Sequence, residues 1–152
     1  MTTILLSIFA VIMDETREST RVLVVDDEKA VADSLTLILR ASGYDATPAY
    51  SGEEAVELCQ AIGPHIVVSD IVMGPMSGFD LAIWLAEHRP ACRIILMSAH
   101  SFHDPLVAKS VRRGFDFLPK PIHPDKFLGK LASSGAEDDS SAEPLETKAN
   151  EE

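Results

Sequence analysis

Val22-Leu23-Val24-Val25-Asp26-Asp27-Glu28 sets four successive apolar residues directly against three carboxylates. Successive side chains of a strand point to opposite faces, so an unbroken apolar run belongs to a strand covered on both sides. Sheets of that kind are usually parallel, and parallel neighbours need a crossover of a dozen residues or more, most often a helix. The sequence supplies one at once. Val31, Leu35 and Ile38 recur at helical spacing, and the pattern stops at Gly43, a residue suited to the left-handed position just past a helix end.

Outward from there the alternation repeats until five strand and helix pairs are complete. Tyr44 to Tyr50 reads as a weaker strand, placed at the sheet border because Pro48 has no amide to donate. Ser51-Gly52-Glu53-Glu54 is a capping box, and Ala55, Leu58, Cys59 and Ile62 then share a helix face. Ile66-Val67-Val68 leads to Asp70; Leu81, Trp84 and Leu85 mark a third helix; Ile94 to Met97 is a fourth strand. Asp104-Pro105 is an N-cap with proline at the first helical position, Phe115 to Leu118 is a fifth strand, and Pro124-Asp125 opens a last short helix carrying Phe127, Leu128 and Leu131. The expected fold is a doubly wound α/β domain, (βα)5, with a parallel five-stranded sheet and right-handed crossovers.

In such a sheet the ligand site lies beyond the carboxyl ends of the strands. After strand one stand Asp26, Asp27 and Glu28; after strand three, Asp70; after strand four, Ser98-Ala99; after strand five, Lys120-Pro121. Carboxylates gathered on one rim resist ionising together unless a cation joins them, and a hard divalent ion with oxygen ligands suits them; Mg²⁺, keeping some of its waters, fits. A phosphate-cradling loop would need amide donors and glycines after strand one rather than negative charge, and no G-x-x-x-x-G-K-[ST] occurs.

VLVVDDE (22–28), HIVVSDIVMGPMSG (65–78), LMSA (96–99) and FLPKP (117–121) together resemble the response-regulator receiver domain, in family order and across residues 21–132. The resemblance implies a flavodoxin-like fold in which Asp70 is the phosphoacceptor. It further implies that Asp26, Asp27 and Asp70 hold Mg²⁺ together with the backbone carbonyl of Val72, and that Ser98, Ala99 and Lys120 contact the phosphoryl group. Phe117, with Ser98, is the implied switch. The implied donor is a sensor histidine kinase or a histidine phosphotransfer protein, and the implied activity is signalling through an output partner that the sequence does not name. Two departures are informative. Gly74 precedes Pro75 where the family has proline directly after methionine, which predicts a more mobile loop. At the positions that tune phosphoryl lifetime stand Val72 and His100, and an apolar Val72 cannot orient an attacking water, which predicts a phosphoryl form lasting minutes or longer.

Length and charge bound the rest. The chain's 152 residues are a one-domain length, and 46% apolar with 24% charged residues is an ordinary globular mixture. The net charge of −11 argues against direct nucleic-acid binding. Much of that charge sits in residues 133–152, where seven acids face Lys148 alone; this stretch holds −6, leaves −5 for the rest, and reads as a disordered acidic tail. Residues 1–20 form an apolar leader and linker. Ile4 to Met13 is about half the ~20 residues a spanning helix needs, so no stable membrane insertion is expected. Met13 is read as the true start with residues 1–12 upstream of it, the alternative being a short anchor or docking helix. Cys59 and Cys92 form no metal or disulfide pattern, which fits a reducing cytoplasm. No output domain is expected after Ala132, and the short last helix puts in doubt a dimer built on the face of helix four, strand five and helix five.

Plainer readings stand beside these. Asp26-Asp27 taken alone is a solvated turn, and Lys120 alone a surface lysine. Phe117 reads equally as a core aromatic, and Trp84, by its helical spacing with Leu81 and Leu85, as core. His100 and His103 have metal-like spacing without a third ligand. His65, His88 and His123 read as surface or capping residues, and Lys109, Arg112 and Arg113 as a solvated helix face or a docking patch. Two other function classes stand as alternatives: a receiver never phosphorylated that acts as a scaffold, and an aspartyl-nucleophile phosphatase, whose DxDGT pattern is absent here because Asp26 is followed by Asp27-Glu28 and Asp70 by Ile71-Val72.

Overall fold

A computed structural model of the chain describes residues 2–16 and 19–133; the acidic stretch from residue 134 onward lies outside the described residues. The strand that opens the domain is covered on both faces. Val22 and Val24 enter one core with Leu35, Leu39 and Phe127, while Leu23 and Val25 enter another with Ala55, Cys59, Leu81 and Leu85. Five strands, β1 (Arg21–Val25), β2 (Asp45–Ala49), β3 (Ile66–Asp70), β4 (Arg93–Ser98) and β5 (Asp116–Pro119), form one parallel sheet in the order β2-β1-β3-β4-β5.

Six helices complete the chain: α1 (Thr2–Thr16), α2 (Lys29–Ala41), α3 (Gly52–Ile62), α4 (Gly78–His88), α5 (Pro105–Arg112) and α6 (Pro124–Ala132). α2 and α6 pack on one face of the sheet, and α3, α4 and α5 on the other. The chain leaves β1 toward one face and β3 toward the other, so their carboxyl ends diverge and open a crevice between neighbouring strands. That divergence positions the site.

The borders of the sheet follow from local chemistry. β2 is an edge strand, as Pro48 requires. Its span is one residue shorter at each end than the 44–50 expected, because Tyr44 donates its amide to Leu39 O, closing the turn after α2. β5 begins at Asp116 rather than Phe115 and runs on to Pro119; the amide of Phe115 is held by Ser110 O in the turn after α5. Gly43 (φ 93°) and Gly63 (φ 55°) end α2 and α3 in the left-handed region, where a side chain is strained. The Ser51 cap of α3 and the Asp104 cap of α5 form as the spacing predicts. Trp84 is half-buried rather than enclosed and stacks on His88, ring centroids 4.7 Å apart.

α1 is apolar around its whole circumference, with Ile4, Leu5, Leu6, Phe9 and Val11 exposed. It runs unbroken through Met13. Among the described residues no helix is long and apolar enough to cross a membrane.

Candidate functional site

The ends of β1, β3, β4 and β5 carry the groups of the rim, and the hydrogen-bond ladder continues one residue further beyond β1, β3 and β5. Asp26 donates its amide to Ala49 O (3.1 Å), Ile71 to Met97 O (2.9 Å) and Lys120 to Ser98 O (2.9 Å). Asp26 and Asp70 are buried, Asp27 is exposed, and carboxylate oxygens of the three all lie within 4.8 Å of one another. Lys120 Nζ, delivered from beyond β5, donates to Asp26 Oδ2 at 2.7 Å and stands 3.5 Å from Asp70 Oδ2. The Lys120-Pro121 peptide bond is cis. Asp26 Oδ1 accepts the amide of Glu28 (3.0 Å), which turns the chain into α2.

The electrostatics are those of crowded acids with one cation. Burial pushes the Asp70 carboxyl up to about 6; Lys120 pulls it down, and Asp26 and Asp27 push it back up. For Lys120, burial works against the charge, but its bonds and proximity to Asp26 and Asp70 outweigh it and hold the ammonium above its ordinary value. One lysine therefore does not neutralise the rim. Three carboxylates within chelating reach, one of them open to water, form an all-oxygen donor set of the kind that takes Mg²⁺ with several retained waters.

Among the described residues the remaining rim residues make no side-chain hydrogen bond to the Asp70 carboxylate. Ser98 is buried, and its Oγ accepts the amide of His100 (3.0 Å). Ala99 follows in the same turn and is exposed, and Val72 packs against the cluster of Ile71, Leu96 and Val107. His100 lies 3.8 Å from Asp104 through its Nδ1, and His100 and His103 belong to no group of metal-ligating side chains among the described residues. Phe117 is half-buried against the same cluster, its ring centroid 5.8 Å from that of Phe102, an exposed residue of the loop after β4.

Three features of the site escaped the sequence reading. Gly78 opens α4 directly beneath Asp70: a Cβ there would lie 2.0 Å from the Asp70 carbonyl oxygen, and the Gly78 amide donates to Ile71 O (2.8 Å). Ser77 and Asp80 cap the same helix reciprocally, a capping box visible in the S-x-x-D spacing. The Phe102–Phe117 pairing has no signal in the sequence, because it joins two residues through the fold.

The sheet order and the rim define a flavodoxin-like receiver module, a class of signalling domain rather than a classical enzyme. A family profile described as "Response regulator receiver domain" matches residues 22–132. The chain belongs to that family, the receiver of two-component phosphorelay signalling. It is 34% identical over 115 residues to the transcriptional regulatory protein YvrH of Bacillus subtilis (strain 168), covering 75% of this chain and 48% of the relative. It is 33% identical over 103 residues to the DNA-binding transcriptional regulator NtrC of Escherichia coli (strain K12), covering 68% of this chain and 22% of the relative. The chain thus spans about half, or less, of the length of these curated relatives. Among solved structures, the CheY-like receiver domain protein of Methanospirillum hungatei JF-1 superposes with a TM-score of 0.70 at 26% identity, over 75% of this chain and 91% of that one. A response regulator receiver protein of Pseudomonas putida gives 0.67 at 33% identity, over 76% and 98%.

Proposed function

We propose that Asp70 takes a phosphoryl group from the histidine of a sensor kinase or phosphotransfer protein and that the acyl phosphate changes which partner the domain binds. The observation that supports this most directly is the Asp70 carboxylate at the end of β3, with Lys120 Nζ at 3.5 Å and the Asp26 and Asp27 carboxylates within 4.8 Å. Phosphoryl transfer asks for an in-line nucleophile and for neutralised charge on the transferring oxygens, and for little else. An Asp70 oxygen bonds to phosphorus as the donor's P–N bond breaks, and the electron pair returns to the imidazole. Lys120, poised between Asp26 and Asp70, follows the new negative charge. Mg²⁺ would be held by Asp26, Asp27, Asp70 and the Val72 carbonyl, and when bound it supplies charge neutralisation at the transferring oxygens.

Once phosphorylated, Asp70 presents new acceptor oxygens, and Ser98 at the end of β4 and the Ala99 backbone just after it offer donors on the same rim. Ser98 Oγ, released from the His100 amide, donates to one of them, and Phe117 turns into the space vacated. Moving a two-state equilibrium from 1:99 to 99:1 takes about 5.5 kcal/mol, whereas one hydrogen bond to a charged group supplies roughly 1.5–3 kcal/mol, so Lys120 and the metal contacts share the shift. Residues 21–132 form this receiver in the cytoplasm, flanked by the apolar segment 1–20 and the acidic segment 133–152. DNA binding, named for one relative, is not carried over to this chain, whose net charge is −11.

Incubation with acetyl phosphate and Mg²⁺ followed by intact-mass measurement tests the assignment. A gain of about 80 Da, the mass of one phosphoryl group, is expected and should vanish in Asp70→Asn. A gain that survives Asp70→Asn refutes it.

A further inference from the structure

Lys109, Arg112 and Arg113 share one exposed side of α5 at i, i+3 and i+4. Among the described residues no carboxylate stands within ion-pair distance of any of them, and Lys109 Nζ lies over the Phe79 ring, 5.4 Å from its centroid. A concentrated positive patch on a chain of net charge −11 is out of keeping with the rest of the surface. We propose that the patch is covered by this chain's own acidic segment, with residues 137–146 lying against α5.

The place where that segment leaves the domain supports this. Arg93, at the start of β4, donates to the carbonyls of Lys130 (2.9 Å), Leu131 (3.3 Å) and Ser133 (2.6 Å), and its guanidinium pairs with Asp116 Oδ2 at 3.2 Å. Lys130 Nζ reaches Asp116 Oδ1 at 3.6 Å. The end of α6 is thereby clamped to the start of β5, and Arg113, at the end of α5, precedes that start by three residues. The last described residue and the basic end of α5 thus stand at the same end of the domain, on either side of the edge strand β5. Residues 134–139 extend up to about 20 Å and residues 134–146 up to about 43 Å, ample to round one strand.

The sequence of the segment complements the patch. Glu137, Asp138, Asp139, Glu143 and Glu146 precede the segment's one basic residue, Lys148. Tethering raises their local concentration at α5 to the millimolar range, so several weak, solvated ion pairs suffice. The contact is electrostatic and therefore salt-labile, with the Debye length falling from about 30 Å at ~0.01 M to about 3 Å at ~1 M. An acidic protein that docks on α5 must displace this segment, which makes the segment an intramolecular competitor. This inference does not depend on whether Asp70 is phosphorylated.

The test uses the full chain. Backbone amide spectra are compared between the native protein and a variant carrying E137Q, D138N, D139N, E143Q and E146Q, and a zero-length carbodiimide joins contacting lysines and carboxylates. The expected result is a set of shift differences confined to residues 105–115, independent of protein concentration and abolished near 1 M salt, with Lys109 cross-linked to residues 137–146 of the same chain. Unchanged α5 amides, differences centred on Lys126 instead, or concentration-dependent differences that place another copy's segment on α5 would each overturn it. A K109E, R112E and R113E variant serves as the converse arm: it should lose the salt dependence at residues 105–115, and retention of that dependence also counts against the proposal.

Discussion

Lys120 Nζ sits 2.7 Å from Asp26 Oδ2 and 3.5 Å from Asp70 Oδ2, so the ammonium is bonded to the buried Asp26 and only poised beside Asp70, the proposed phosphoacceptor. Removing the lysine leaves Asp26 buried and unpaired, which costs about 3 kcal/mol or more. Removing the charge of Asp26 leaves Lys120 free to move to Asp70. Lys120→Ala is therefore expected to destabilise the metal-free protein substantially more than Asp26→Asn does, as urea unfolding at neutral pH would show; equal losses would contradict the asymmetry.

Asp70 is raised from 3.8 to about 6, so its charged form is disfavoured by folding. The sign follows directly. Ionisation of Asp70 destabilises the fold above pH ~6, and that penalty disappears as the pH falls from about 6 toward the unfolded value near 4, with an upper bound of about 3 kcal/mol for a shift of some two units. In chelator-treated protein, the Asp70 contribution to stability should grow on acidification from pH 7 to 5, and Asp70→Asn should melt higher than the native chain at pH 7. Added Mg²⁺ should raise the melting temperature of the native chain and leave Asp70→Asn far less affected.

Gly78 and Gly74 separate close packing from loop freedom. A Cβ at residue 78 meets the Asp70 carbonyl at 2.0 Å and cannot be relieved by moving a flexible side chain, whereas at residue 74 it meets nothing within 4 Å. Gly78→Ala is expected to cost at least the 1–3 kcal/mol typical of overpacking and to lower the phosphorylation rate by displacing Asp70. Gly74→Ala should be close to neutral in denaturant unfolding.

The Phe102 and Phe117 rings, 5.8 Å apart and inclined at 47°, tie the loop after β4 to β5. A double-mutant cycle with Phe102→Ala and Phe117→Ala should show a coupling of about 0.5–1.5 kcal/mol in the unphosphorylated protein. If Phe117 turns inward on phosphorylation, the coupling shrinks when Asp70 carries the phosphoryl group; the same value in both states would argue against Phe117 as the switch.

Val72 offers no polar atom to a hydrolytic water except its backbone. The acyl phosphate is expected to persist for minutes or longer by intact mass after removal of the donor, and Val72→Gln should shorten its life. Loss within seconds in the native chain would contradict this.

The period of the hydrophobic pattern made the order of strands and helices readable in advance, because unbroken apolar strands and 3.6-residue faces are properties of local sequence. Pro48 placed β2 at an edge by its missing amide alone, and the caps at Ser51 and Asp104 needed only neighbouring residues. Boundaries were less legible where the turn after a helix captures the next amide on a carbonyl of the helix's last turn, as at Tyr44 and Phe115. The gathering of Asp26, Asp27 and Asp70 was legible from their places at strand ends, since parallel topology sends those ends to one rim.

What only the tertiary structure decided is which of those groups touch. The sequence places Lys120 ninety-four residues from Asp26 and says nothing of its choosing that acid over Asp70. Nor does it show that Gly78 leaves room for the Asp70 carbonyl, that Phe102 covers Phe117, or that Arg93 gathers the ends of α6 and β5. Periodicity and strand-end chemistry are inherited from local sequence, whereas distances between side chains on different elements depend on how the layers close over the sheet.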